Sequence, residues 1–363
     1  MPDASHPRRV LGYLREQPAA LAATWRALAD ERPRLAAHAQ RARQVVLVGS
    51  GTSKNALIAT APAFARAHRA PARVLGPLEF LDDDADLAGA LVVVVSQTGS
   101  STTSVAALEA AQERAGHDGR VWAVTAEPGS PFGRAARVAL HLPIGPEAIG
   151  PKTKGYTATL AALLELAAAT AGAATPLPDG HAAAAAWFAQ RLRAWEAWGG
   201  AWAARWHDVD QLMVIGRGRH VGTALEASLK LQEMAGLPAS AFDLEEALHG
   251  RFHGLGPRSL AAFVVGERAD ERAAVAAAEV LRDLGVPSLV ASTLPPDDAP
   301  APAGVELVRV GRPPGGDADL DVVSAIVAFQ AFAEHAAHRR GVDPDAMRYP
   351  GLSARLGIKL PSA

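Results

Sequence analysis

The sequence predicts an α/β protein built from two tandem units, each a parallel sheet flanked by helices. Three observations carry this. Short β-branched runs alternate with Ala-rich helical stretches, the pattern of parallel sheets covered by helices. Gly-rich turns stand where strand hands over to helix, at Gly49-Ser50-Gly51 and again at Gly216-Arg217-Gly218. The second half also repeats the first at one spacing. Gly216 answers Gly49, Val305 answers Val138, and Leu289–Ser292 answers Trp122–Thr125, each 167 residues on (216 against 49, 305 against 138, 289 against 122). One offset at three strands points to a duplicated unit.

Taken in order, residues 8–42 read as a helical arm that Pro18 and Pro33 are expected to break into pieces. Val45–Val48 is a strand that enters Gly49–Ser53, and Lys54–His68 is a helix. Leu91–Val95 is a second strand ending in Ser96-Gln97-Thr98-Gly99-Ser100-Ser101, with a helix through Ala115. Val121–Thr125 and Val138–Leu142 are further strands. Thr175-Pro176-Leu177-Pro178-Asp179-Gly180 marks a linker over 173–185. The expected organisation is thus an arm (1–42), a first unit (43–172), the linker, a second unit (186–342) and a tail (343–363). Trp187, Trp195, Trp198, Trp202 and Trp206 form a helical stripe, read as core or interface packing, with ligand stacking as the alternative.

Composition narrows the function classes. The 363 residues hold 36 Lys and Arg against 38 Asp and Glu, a formal charge of −2 without the basic stripe of a nucleic-acid binder. There is no Cys, which excludes disulfides, thiolate metal sites and a Cys nucleophile, and fits a cytoplasmic protein. No apolar run approaches the ~20 residues of a membrane span, and the N-terminus lacks the apolar core of a signal peptide.

Ligands of open parallel sheets sit beyond the carboxyl ends of the strands. Two such ends carry Gly, Ser and Thr: Gly51, Thr52 and Ser53 after the first strand, and Ser96, Gln97, Thr98 and Ser101 after the second. Glycine lets the backbone approach an anion, while hydroxyls and helix-start N–H groups donate to it. One such loop is ordinary helix capping. Two at neighbouring strand ends predict an anion cradle that needs no metal. Neither loop has the P-loop or dinucleotide-binding spacing, so no cofactor is expected.

The densest stretch is 224–256. Glu226, Lys230 and Glu233 share one helix face at i, i+4 and i+7, and the flanking Leu225, Leu229 and Leu231 predict that this helix is largely buried. Asp243–Gly250 then brings His249, so that a carboxylate and an imidazole are available for proton transfer. His249 and His253 stand at i, i+4, but Gly250 occupies the place of the glutamate in a zinc-binding HExxH, so no metal is expected.

These motifs, in their order, resemble the sugar isomerase (SIS) domain family over nearly the whole chain, particularly the isomerase half of glucosamine-6-phosphate synthase and its stand-alone relatives. Glu16-Gln17-Pro18 is similar to that family's leading helix. Gly51-Thr52-Ser53 and Ser96-Gln97-Thr98-Gly99 are similar to its two phosphate loops. Pro151–Thr157, including Lys154, is similar to the segment opening the last helix of its first domain. Gly216-Arg217-Gly218, Ala224–Glu233, Glu245–Gly250 and Gly341–Asp345 complete the set.

The resemblance implies flavodoxin- or Rossmann-like three-layer sandwiches in a homodimer that binds a hexose or hexosamine 6-phosphate. By it, Gly51, Thr52, Ser53, Ser96, Gln97, Thr98, Ser101 and Lys154 hold the substrate. Glu233 moves a proton between C1 and C2, His249 opens the ring, reaching in from the neighbouring subunit, and Lys230 lies near the sugar. The tail is expected to fold over the site. Three departures stand out: Ala354, beside Arg355, replaces the family's tail lysine, Arg251 replaces the proline after His-Gly, and Ser100 replaces an acidic residue. Lys359 is near but out of register. The lack of Cys separates the chain from glutamine-hydrolysing members, so the expected activity is aldose–ketose isomerisation or amino-sugar-phosphate deamination. A phosphosugar sensor and a deglycase are the alternatives.

Overall fold

The structure is a computed structural model that describes residues 8–37, 39–115, 120–177, 180–296, 303–349 and 351–360. Parts of the expected arm (1–7), linker (178–179) and tail (350, 361–363) lie outside the described residues. The chain divides into two compact units. The first-sheet unit comprises Ala19–Glu147, Lys154–Ala182 and Tyr349–Ala363, and the second-sheet unit comprises Met1–Pro18, Ala148–Thr153 and Ala183–Arg348.

The first-sheet unit runs β1 (Gln44–Val48), α2 (Thr52–His68), β2 (Ala72–Leu75), α3 (Pro77–Leu81), β3 (Ala90–Val95), α4 (Thr102–Arg114), β4 (Val121–Thr125), α5 (Pro131–Ala135), β5 (Ala139–His141) and α6 (Lys154–Thr170). Most of α1 (Arg9–Ala37) precedes them, and α13 (Leu352–Arg355) follows in the tail. The sheet is parallel in the order β2-β1-β3-β4-β5. Every residue of β3 is buried, as a central strand covered on both faces must be. All seventeen residues of α6 are buried, the mark of a helix wrapped on every side. Its threonine hydroxyls are met within the helix: those of Thr157, Thr159 and Thr170 donate to the carbonyls of Lys154 (3.1 Å), Gly155 (2.7 Å) and Leu166 (2.6 Å). Arg32 and Thr175 donate to Glu165.

The second-sheet unit runs α7 (His181–Arg205), β6 (Gln211–Gly216), α8 (His220–Ala235), β7 (Ala239–Asp243), α9 (Leu244–Leu248), β8 (Ser259–Val265), α10 (Arg268–Asp283), β9 (Ser288–Ser292), β10 (Glu306–Arg309), α11 (Asp321–Ala325) and α12 (Val327–Arg339). Its parallel sheet has the order β10-β9-β8-β6-β7, which is the first order with β6 in the place of β1. The starts of β6, β7, β9 and β10 lie 167 residues after those of β1, β2, β4 and β5 (211 against 44, 239 against 72, 288 against 121, 306 against 139). Only β8 departs, starting 169 after β3 (259 against 90). The duplication foreseen at three strands therefore covers all five.

Three expectations need correction. The arm is not broken at its prolines, for α1 is continuous through Pro18 and Pro33. Each proline removes one backbone bond, but Leu14, Gln17, Leu21, Trp25 and Leu28 are almost wholly buried and hold the helix through the gap. The division between the units falls at Pro18. The linker is shorter than 173–185, since α7 begins at His181, where five alanines extend the helix backwards from Trp187. Strands β2, β7 and β8 were not foreseen.

One described stretch, Ala318–Arg339, is long and apolar enough to cross a membrane by length and composition. Its most apolar window is 94% buried inside the protein.

Candidate functional site

In the first-sheet unit, β1 and β3 are neighbours, and the chain leaves them toward opposite edges of the sheet. A crevice at their carboxyl ends follows from that reversal. Two loops flank it. Gly49 packs where a Cβ would stand 3.0 Å from Leu57 and 3.2 Å from Ser53, and Gly51 has φ +54°, so the chain turns tightly into α2 and presents Thr52 and Ser53 half-exposed at its start. At the second loop, Gly99 (φ +61°) lies so close to Ser130 that a Cβ would fall 1.8 Å from its hydroxyl. Ser96 is buried, and Thr98 and Ser100 share a hydrogen bond of 3.1 Å. Ser101 caps α4, its Oγ accepting from the Ser104 backbone N–H at 3.3 Å. Capping and anion binding are compatible there, because a hydroxyl that accepts still has a hydrogen to donate.

Gln97 is fixed by a residue that sequence reasoning did not single out. Its Nε2 donates to Glu147 at 3.2 Å, and Glu147 also accepts the backbone N–H groups of Lys154 and Gly155, both at 3.1 Å. The carboxylate thus sits at the positive end of α6. Gly155 is required, since a Cβ there would lie 2.0 Å from the Gln97 amide. The Lys154 side chain is buried at the start of α6. Lys54 is paired with Glu79 at 2.8 Å.

The tail meets the same rim. Leu360 N–H donates to Ser100 O at 2.7 Å, Thr102 N–H donates to Ile358 O at 3.4 Å, and Ser101 pairs with Lys359 as an antiparallel bridge. Ala354 and Arg355 lie exposed on α13, whereas Lys359 is the tail lysine paired with the loop.

In the second-sheet unit, the charged face of α8 is its buried face. Glu226 and Lys230 are fully buried, and Glu233 is 22% exposed. The Lys230 ammonium bridges Glu226 at 3.2 Å and donates to Glu233. Burial pulls the Lys230 pKa down, but the two carboxylates outweigh it, and the lysine is held above its ordinary value. Of the three, Glu233 alone reaches the surface. His249 is not brought to Glu233. It ends α9 with 73% of its side chain exposed and its Nε2 3.1 Å from Glu245. Arg251, in the place of the family's proline, lies over the Phe242 ring at 4.6 Å. Among the described residues no group of three His, Asp or Glu is arranged to hold a metal.

This unit's own strand reversal, between β6 and β8, is occupied from within. Asp321 is fully buried there, bound by Arg219 through two hydrogen bonds (2.7 and 2.8 Å), by Thr293 (2.7 Å) and by His220 (3.2 Å). Gly266 allows the approach, since a Cβ would lie 2.5 Å from the carboxylate. Burial opposes its ionisation, yet His220 and Arg219 together hold the Asp321 pKa well below the usual carboxylate range. Arg217, of the Gly-Arg-Gly turn, pairs with Asp270 at 2.8 Å.

Residues 39–169 match the SIS domain family. The chain is a SIS-domain protein, with the same α/β topology used twice. It is 31% identical to a glutamine–fructose-6-phosphate aminotransferase (isomerizing) of Aeropyrum pernix, over 95% of this chain and 57% of that protein. The chain thus spans a little over half the length of that relative. Among solved structures it superposes on tagatose-6-phosphate ketose/aldose isomerase of Escherichia coli with a TM-score of 0.78 at 17% identity, covering 94% of this chain and 96% of the other. It superposes on glucosamine-6-phosphate deaminase of Thermotoga maritima with a TM-score of 0.73 at 18% identity, covering 94% and 98%.

Proposed function

We propose that the protein is a cytoplasmic enzyme acting on a hexose or hexosamine 6-phosphate, as an aldose–ketose isomerase or an amino-sugar-phosphate deaminase. The observation that carries the reading is the pair of Ser/Thr/Gly loops at the β1–β3 reversal, two neighbouring helix starts with hydroxyls in reach. The relatives support it, since the names of all three include the 6-phosphate of a hexose or hexosamine.

In this reading Thr52, Ser53, Ser96, Thr98 and Ser101 donate to the phosphate, and Gln97 is oriented by Glu147. Lys359, opposite Ser101, supplies a cation at the rim. Glu233 takes the proton from the carbon next to the carbonyl and returns it to the neighbouring carbon through an enediol, or an enolamine when the substrate carries an amine. Lys230 holds that carboxylate ionised and in place. The exposed His249 opens the sugar ring, offered to a second copy of the chain in a homodimer.

Ala354 favours a second reading, a phosphosugar sensor, because an alanine stands where the family's tail has an amine. One variant separates the two. Glu233→Gln should keep hexose 6-phosphate binding and lower turnover by about 10²–10⁴-fold, the usual share of a positioned acid–base group. Turnover of fructose 6-phosphate, tagatose 6-phosphate or glucosamine 6-phosphate, with ammonia release for the last, is the readout. Unchanged turnover in the variant would sink the enzymatic assignment to Glu233. Binding with no turnover by the unmodified protein would favour the sensor.

A further inference from the structure

We propose that the second-sheet unit holds a separate ligand site, for a phosphate ester carried on a flat or apolar-faced ring. It is a cavity of 460 Å³ beyond the carboxyl ends of β9 and β10, closed on one side by α7. That size falls in the range of small-ligand sites.

Charge is the first argument. Arg191, Arg309 and Arg312 line the cavity, and among the described residues no carboxylate does. Arg309 is neutralised from behind by Glu271. Arg191 and Arg312 are not. One Arg191 Nη donates to the Arg309 carbonyl at 2.7 Å, but its Nε–H is buried with no acceptor. Arg312 is half-buried and has no ion-pair or hydrogen-bond partner among the described residues. A buried donor without an acceptor is costly, and an anion in the cavity would relieve it.

Trp187 is the second argument. In the tryptophan stripe Trp195, Trp202 and Trp206 are core, with 0%, 1% and 7% exposure. Trp187 is not: it is half-buried and lines the cavity. Its ring is held rigidly, edge-on to Trp195 at 5.6 Å and against Gly311, where a Cβ would stand 3.2 Å from the indole. Gly311 has φ +76° and so suits glycine twice over. A fixed aromatic wall beside two guanidinium groups without a carboxylate partner suits a ring bearing a phosphate, although Arg191 also lies over the Trp198 ring at 5.8 Å. Arginine's planar fork matches the phosphate, and the indole matches either a nucleobase or the apolar face of a sugar.

The site is tested by calorimetric titration of the full chain with AMP, fructose 6-phosphate and inorganic phosphate at up to millimolar concentration. A Ser53→Ala, Ser96→Ala background weakens the other cradle, so failure here is distinct from failure of the proposed function. At least one organic phosphate should bind that background, more tightly than inorganic phosphate. Its affinity should fall about tenfold in Arg312→Ala, equivalent to one charge-assisted hydrogen bond, and should also fall in Trp187→Ala. Preference for AMP would identify a nucleotide, and preference for the sugar phosphate a second sugar site. Arg312→Ala is the decisive variant, because an unpaired, half-buried side chain can be removed without unfolding the protein, which circular dichroism checks. Undiminished affinity in Arg312→Ala would overturn the proposal, as would failure of every probe to bind.

Discussion

The α8 charges show what residue-level reading achieves. The i, i+4, i+7 spacing of Glu226, Lys230 and Glu233 placed them on one face, and the structure joins them through Lys230. Their burial was legible only through the leucines beside them. Replacing Lys230 with methionine leaves Glu226 fully buried without its cation, which should cost about 3–5 kcal/mol of stability. Urea unfolding measures this. A variant as stable as the parent would mean that Glu226 is not charged in the fold. Glu147, by contrast, gave no signal. It lies 50 residues from Gln97 in a loop without periodicity, and only the folded chain brings the two within 3.2 Å. Asp321 was hidden for the same reason, 102 residues from Arg219.

Among elements, the β-branched strands were the easiest to read. The missed ones explain themselves: β2 and β7 are half-buried flanking strands of four and five residues, and two central alanines dilute the β signal of β8. Pro18 and Pro33 misled because burial outweighs the local rule. One contact between elements sets a pH dependence. His68, on α2, accepts the Ala42 N–H at Nδ1 (3.1 Å) and lies 3.2 Å from the Thr170 hydroxyl of α6 at Nε2. That hydroxyl already donates to Leu166 O, so His68 donates to it as a neutral ring. Burial, with smaller help from Arg120 and Arg41, lowers its pKa from 6.5 to about 4. A depressed histidine is neutral when folded and takes up its proton more readily when unfolded. Its contribution is therefore whole above pH 6.5 and lost as pH falls toward 4, up to about 3 kcal/mol. Unfolding free energies across that window should fall with pH, and the fall should be shallower in His68→Gln.

At the scale of the whole molecule, one 167-residue offset read at three strands foretold both sheets. It did not tell what each strand reversal holds. In the first-sheet unit the loops offer hydroxyls and helix starts, while in the second the chain supplies its own anion, Asp321. Asp321→Ala should therefore behave as a vacated anion site. The variant should lose about 3 kcal/mol or more by leaving His220 without its carboxylate and Arg219 with only the exposed Glu267, and inorganic phosphate should raise its melting temperature more than that of the parent. Equal responses to phosphate would mean that Asp321 does not stand in for a bound anion.

The interleaving of the units also bears on how the chain is made. Residues 1–18 belong with 183–348, and residues 349–363 return to the unit that begins at 19. Domains commonly fold in turn as they leave the ribosome, at about 5–20 residues per second, so 363 residues take roughly 20–70 s. Here the residues before 19 wait for partners from 183 to 348, and the first-sheet unit receives its residues beyond 348 only after the other unit has been made. Neither unit is complete until synthesis has passed residue 348. The duplicated protein thus matures as one object, although its sequence reads as two.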